Sequence, residues 1–325
     1  MFVLGIDVSK AKLDVTLLKA HSSPAQAQFS NEAGGLKKLG QWLKKQQVGQ
    51  LHVCLEATNI YWELAADYLH EQGYQVSVVN PARIKGFAQS QLRRNKTDKL
   101  DSLVIAQFCA SLKPKAWQPP NPAQRKLRAL VRHSQALQKT LTQQKNRRAV
   151  CTEPEVQHSL DTLIQTLQAE IERIQQQIQE LIEAEAQLKR QQKLLTSIKG
   201  FGDKTAAFLL AEMYDLASYE SARAAAADAG LTPAHHTSGS SVHRKPKLSK
   251  LGKASVRGAL YFPAISAIRS NPLVQALTDR LAARGKGPLV LIAAAMRKLL
   301  HLAYGVLKHQ QPFDPLYLHK LPAKT

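Results

Sequence analysis

Along the first eighty residues, apolar positions come in short runs broken by polar and turn-forming residues. The runs "FVLGIDVS" and "KLDVTLLKA" are continuous or alternating and predict a β-hairpin, with a third strand near "AQFSN". "GGLKKLGQWLKKQ" (34–46) spaces Leu36, Leu39 and Leu43 as one face of a helix. "LHVCLEA" predicts a buried strand, "YWELAADYLHEQG" a helix closed by Gly73, and "YQVSVVN" a strand ending at Pro81. Strand hairpin, helix, strand, helix, strand is the order of an RNase H-like core, although other α/β folds share it.

The pattern changes after the proline-rich "KPKAWQPPNP" (113–122). Leu160, Ile164, Leu167, Ile171, Ile174, Ile178 and Leu181 alternate intervals of 4 and 3, with Gln and Glu on the other faces. So narrow an a/d seam predicts a coiled coil, self-associating or folded back as a hairpin; the plainer alternative is a helix packed on its own domain. Further on, "LLTSIKGFGDKTAAFLLAEM" (194–213) sets Gly200 and Gly202 between two helical patterns. It resembles a helix-hairpin-helix, whose glycine turn and following helix offer backbone N–H groups to a DNA phosphate.

Charge narrows the function. The 325 residues hold 45 Lys and Arg against 24 Asp and Glu, a formal net charge of +21. Such a balance favours nucleic acid as partner, because neutralising phosphates releases counterions. Ten basic and no acidic residues lie between Ser102 and Thr152, and fifteen basic residues against Asp279 and Asp314 follow Gly230. Between these blocks, Glu153 to Leu188 carries eight acidic residues and one basic, Arg173. Three scattered cysteines suggest neither a disulfide framework nor a zinc site, which points to a reducing cytoplasm. The apolar "PLVLIAAAM" (288–296) stops at Arg297 and Lys298, so no membrane partner is expected.

Four acids fall at predicted element ends. Asp7 follows the apolar run of the first strand, Glu56 closes "LHVCLE", and Asp98 and Asp101 open a helix on one face. Clustered carboxylates are costly unless cations neutralise them, and an all-oxygen set favours Mg²⁺. Two such ions about 4 Å apart can clamp both oxygens of a phosphoryl transfer. The local alternative has Asp98 capping its helix and Asp101 pairing with Lys96 or Lys99; a Glu56 buried in an apolar strand is harder to explain that way. The second constellation is "HHTSGSSVHRKPKLSKLGKASVR" (235–257), where Ser238, Ser240 and Ser241 precede Arg244, Lys245, Lys247, Lys250, Lys253 and Arg257. It reads either as a loop contacting phosphates or as a serine nucleophile toward a phosphodiester among stabilising cations.

Taken together, these stretches resemble the DEDD-type insertion-sequence transposases related to the Piv DNA invertases, a group associated with bridge-RNA-guided recombination. The likeness is carried by "GIDVSK", "CLEATNIYWE", "VNPARIKGFAQSQLRRNKTDKLDS", "GFGDKTAAFLLAE", "AGLTPAHHTSGSSVHRKPKLSKLGKASVRGALYFPA" and "MRKLLHLAYGVLK", in unbroken order along nearly the whole chain. It implies an α/β RuvC-like (RNase H-like) catalytic domain at 1–118, with Asp7, Glu56, Asp98 and Asp101 around Mg²⁺. A helical coiled-coil region is expected at 119–190. A mostly α-helical serine transposase domain with a helix-hairpin-helix follows at 191–325, with Ser238 as nucleophile by its position in "SGSS" and Ser240 and Ser241 as less favoured substitutes. It further implies DNA as donor and target, a structured bridge RNA as guide, a homo-oligomer (dimer or tetramer), and a bacterial cytoplasmic, nucleoid-associated location. Arg94, Lys96, Gly200, Gly202, Lys204 and the cations of 244–257 are the expected nucleic-acid contacts. Two rivals remain: a Holliday-junction-type nuclease using the acids and no serine, and a non-enzymatic nucleic-acid-binding protein.

Overall fold

A computed structural model describes residues 2–19, 22–57, 60–91, 98–238, 242–249 and 251–316, with backbone alone at 98–100, 235–238 and 242–246. The chain divides into two compact units, Met1–Pro119 and Pro120–Thr325.

In the first unit, the apolar runs form strands β1 (Phe2–Val8), β2 (Lys12–Leu18), β3 (Ala25–Ser30), β4 (Leu51–Glu56) and β5 (Gln75–Val79). They make one sheet in the order β3-β2-β1-β4-β5. The hairpin strands β1, β2 and β3 pair antiparallel, whereas β1, β4 and β5 pair parallel. Such a mixed sheet has the connectivity expected of an RNase H-like core.

Alternation along each strand decides what covers each face. Leu4, Ile6, Leu13, Val15, Val53 and Leu55 form a core with Leu36, Leu39 and Leu43 of α1 (Ala33–Lys45) and Leu69 of α2 (Glu63–Glu71). On the opposite face, Val3, Cys54 and Val79 pack against Ile84 of α3 (Pro81–Ser90) and Val104, Ile105 and Phe108 of α4 (Asp98–Leu112). Gly5 is where α4 comes closest. A Cβ there would collide with the Ala106 amide nitrogen and the Ser102 carbonyl, so only glycine lets the helix lie on the sheet.

The second unit is mostly helical. α5 (Pro122–Val150) and α6 (Pro154–Ala184) fold back on each other, and near their connection Arg148 Nε meets Asp161 Oδ1 at 2.8 Å. The α5 N-terminus carries a capping box, with Asn121 and Gln124 bonding each other's backbone. Of the predicted seam, Leu160, Ile171, Ile174 and Ile178 are buried, and Ile164, Leu167 and Leu181 half-buried.

At the open end of this hairpin, Leu127, Val131, Ile174, Ile178 and Ile182 join the core of the remaining elements. These are α7 (Ala186–Thr196), α8 (Asp203–Glu212), α9 (Ala222–Asp228), β6 (Pro233–Ser238), β7 (Val242–Leu248), α10 (Ala254–Ser270), α11 (Pro272–Ala282) and α12 (Pro288–His309). The regions 119–190 and 191–325 therefore share one hydrophobic core. Arg132 clamps the α5–α8 contact, with Nε and Nη2 donating to the two Glu212 carboxylate oxygens at 2.6 and 3.1 Å.

"PLVLIAAAM" turns out to belong to a longer helix than its own length suggested. α12 runs 22 residues and, by length and composition, could cross a membrane. Its Ala295, Met296, Leu299, Leu300, Ala303, Val306 and Leu307 are instead buried in the core of this unit.

Candidate active site

The parallel pairing of β1 and β4 ends with Ile6 opposite Leu55, so Asp7 and Glu56 are the next residues on neighbouring strands. Period two places Asp7 on the face of Gly5 and Glu56 on that of Cys54, the face covered by α4. Both carboxylates are half-buried at the strands' C-terminal ends. α4 runs antiparallel to β4: Cys109 Sγ lies 4.0 Å from the His52 carbonyl oxygen, and Ser102 Oγ lies 2.8 Å from Thr16 Oγ1. Its first turn, with Asp98 and a half-buried Asp101, thus lies at the Asp7 and Glu56 end. The Asp98 side chain lies outside the described residues.

Polar contacts fix this edge. Gln26 Nε2 donates to Thr16 Oγ1 at 3.1 Å, extending the Thr16–Ser102 link across the sheet to β3. Asn31 Nδ2 donates to the Ser9 carbonyl at 3.0 Å and to the Tyr61 carbonyl at 2.9 Å. One side chain therefore ties together the segments that follow Asp7 and Glu56. Beneath α4, Cys54 and Cys109 are free, buried cysteines that share a hydrogen bond, and that hydrogen bond together with burial pushes the Cys54 thiol up. It stays a neutral packing group.

An acid that pattern reading passed over stands beside Asp7. Asp14 is its cross-strand partner and is 6% exposed. Its Oδ1 accepts from Gln28 Nε2 at 2.7 Å, and its Oδ2 lies 3.4 Å from Lys12 Nζ. The alternation in "KLDVTLL" already puts Asp14 and Thr16 on one face. What the sequence lacked was the pairing partner that makes this face the acid face. Among the described residues no three His, Cys, Asp or Glu side chains converge into a metal-holding group. The donor chemistry of Asp7, Glu56 and Asp101, all oxygen and half-buried, suits a hard divalent cation.

Ser238 ends β6 opposite Val242, at the closing position of a two-stranded hairpin with a register shift between Ala234 and His236. Ser240 and Ser241, like Arg94, Lys96 and Lys250, lie outside the described residues. Arg244 and Lys245 sit on β7, and Lys247 of the same strand is exposed. Two other expected phosphate ligands, both partly exposed, bond the chain itself. Lys253 Nζ meets Asp228 Oδ2 at 3.1 Å and donates to the Glu212 carbonyl at 3.2 Å. Arg257 Nη1 donates to the carbonyls of Ala229 and Gly252 at 3.1 and 3.3 Å.

The glycine turn between α7 and α8 divides its labour. Gly200 has φ +105°, and a Cβ there would stand 2.7 Å from that of Ala267, so it fits the turn against α10. Gly202 precedes α8 in open surroundings, and Lys204 is exposed in that helix's first turn.

Comparison with known proteins adds the lineage. Residues 4–151 match the model of the IS110-type DEDD transposases, and residues 192–279 that of the IS116/IS110/IS902 transposase family. The pilin gene-inverting protein of Moraxella bovis is 33% identical over 96% of this chain and 97% of its own. The chain belongs to the IS110 transposase family. The Moraxella lacunata pilin gene-inverting protein matches to the same extent, 33% over 96% of this chain and 97% of its own. An IS110 protein of Streptomyces coelicolor is 28% identical over 40% of this chain and 31% of its own. Thermus thermophilus RuvC, solved with a Holliday junction substrate, aligns over 35% of this chain and 94% of its own at 13% identity and a TM-score of 0.27. As an IS110-family transposase, the chain carries all four acids in the first matched segment and Ser238 in the second.

Proposed function

We propose that this IS110-family protein is a site-specific DNA recombinase that cuts and rejoins strands through Ser238, with Asp7, Glu56, Asp98 and Asp101 holding Mg²⁺. The observation that carries the reading is the acid edge. Asp7 and Glu56 end adjacent parallel strands, and the α4 turn bearing Asp98 and Asp101 lies at the same end. A bound divalent cation there would stabilise the negative charge that builds on a phosphate during transfer.

The chain's own groups do the rest. The Ser238 Oγ attacks the phosphorus of a DNA phosphodiester, forming a serine–phosphate bond as the bond to the departing DNA oxygen breaks. Ser238 gives up its hydroxyl proton on attack, and the departing oxygen takes up one proton and leaves as a hydroxyl, so the protons balance. Attack on the serine phosphate by a hydroxyl of a new DNA end reverses the step, releases Ser238, and joins new partners with the bond count unchanged. Arg244, Lys245 and Lys247 on the paired strand supply positive charge along this hairpin.

A structured RNA encoded with the element is the expected guide, and a dimer or tetramer the expected working form. The proportions of the Moraxella invertase match support a reading for the whole chain. Nicked suicide DNA tests the reading. A covalent protein–DNA adduct that requires Mg²⁺ and is lost in Ser238→Ala is the expected result. Free cleaved ends without an adduct would instead establish a metal-dependent nuclease. Sequencing the RNA that co-purifies with the protein tests the guide.

A further inference from the structure

The second unit holds a groove of about 710 Å³ where α5, α6, α8 and α10 meet, away from the serine hairpin's own strands. We propose that this groove takes one unstacked nucleotide of a single-stranded nucleic acid, its base against Phe262 and its phosphate at Lys204. The proposal deepens the recombinase reading, on which it rests for nucleic acid as the ligand.

Four features argue for that occupant. Phe262 is 76% exposed at the rim, an unusual cost for an aromatic ring in water, and its edge-to-face contact with Tyr261 at 5.5 Å sets the ring's orientation. Stacking on a base would recover that burial. The walls carry Gln138 of α5 and Gln175 of α6, and each amide offers a donor and an acceptor, the pattern that matches base edges. The floor, with Phe208 of α8, is apolar and suits a ring, while Lys204 at the mouth suits a phosphate. Asp203, the acid in the lining, can accept from a base amino group.

Depth comes from α10, where Gly258 lies one turn before Phe262. A Cβ at Gly258 would meet nothing within 4 Å, so the room is open space and not packing. The volume falls within the roughly 300–1,000 Å³ of sites for small molecules. It admits one base and excludes a stacked duplex.

The test is fluorescence anisotropy of the full chain with three probes of one sequence, roughly 20 nucleotides long: single-stranded DNA, single-stranded RNA and blunt DNA duplex. Phe262→Ala and Gly258→Leu should each weaken single-strand binding by about 5- to 150-fold, the range for a lost base stack, and leave duplex binding within about twofold. Leucine fills the groove yet favours the helix over glycine, so Gly258→Leu should keep its melting temperature. A loss confined to the RNA probe assigns the groove to a guide RNA, and one confined to the DNA probe to a displaced DNA strand. Unchanged single-strand binding, or an equal loss on the duplex, overturns the proposal and leaves the recombinase reading standing. A wild-type chain that binds none of the three probes would sink both.

Discussion

The acid edge stands in a sheet of five strands, the serine hairpin in a sheet of two. Asp7 and Glu56 stand on neighbouring strands within a five-stranded sheet covered on both faces, with α4 seated on Gly5 and linked through Thr16 and Ser102. Ser238 ends one strand of a two-stranded sheet, where Leu248 packs, partly buried, on the core of its unit. An isolated hairpin of two strands is marginal in water. Carboxylates proposed to hold a cation would need fixed geometry, since clustered charges repel without it. On the proposed reading, a serine that reaches one phosphate and later returns it to another would gain from a lighter support.

The contrast can be probed from its largest expected effect down. Amide hydrogen exchange should be slower in β1 and β4 than in β6 and β7 by at least about 10³-fold. Equal protection would erase the distinction. Next, Asp101→Ala and Ser238→Ala should each lower recombination by about 10³-fold or more with folding intact, measured by inversion or excision of a reporter segment. Full activity in Asp101→Ala would remove the acid from the site.

Gly5→Ala drives a Cβ into the α4 backbone and should destabilise the first unit by about 3 kcal/mol, read from denaturant unfolding. Thr16→Val removes the hydroxyl shared with Ser102 and should cost about 1–2 kcal/mol, together with a partial loss of recombination as α4 loosens. Leu248→Ala, on the lighter hairpin, should change global stability by less than about 1 kcal/mol, because the residue is only partly buried.

A separate effect concerns pH in the second unit. Burial, then Arg297, Lys298 and Arg223, lowers His301 from its usual value to about 4. The unfolded chain therefore binds this proton more readily than the folded one. The associated stability is complete above about pH 6.5 and is lost as pH falls toward 4. His301→Gln should flatten that part of the thermal-melting profile.

Much of this was legible in the residues. The strands and helices of the first unit follow from period two and period 3.6, because burial of one face or stripe is what those spacings record. The heptad stripe of α6 likewise marked a buried seam, but the stripe alone left its partner open, since an a/d seam is satisfied by any matching helix. Packing on α5 of the same chain, with the base of the hairpin sunk into the C-terminal core, is a tertiary fact. Lys253 and Arg257 show what composition leaves out: within a basic run they also bond carbonyls and Asp228, because charge composition carries no direction.

By itself, then, the sequence determined the element order, which acids and serines stand as candidates, and the basic character that favours nucleic acid. Tertiary structure decided which acids share an edge. Parallel pairing of β1 with β4 aligned Asp7 and Glu56, antiparallel pairing with β2 placed Asp14 beside Asp7, and the absent side chain at Gly5 let α4 approach with Asp98 and Asp101. It also decided that the α5–α6 hairpin, α8 and α10 meet around a groove. Local spacing fixes which face of an element is apolar, whereas registry and close approach depend on contacts between residues far apart in the chain.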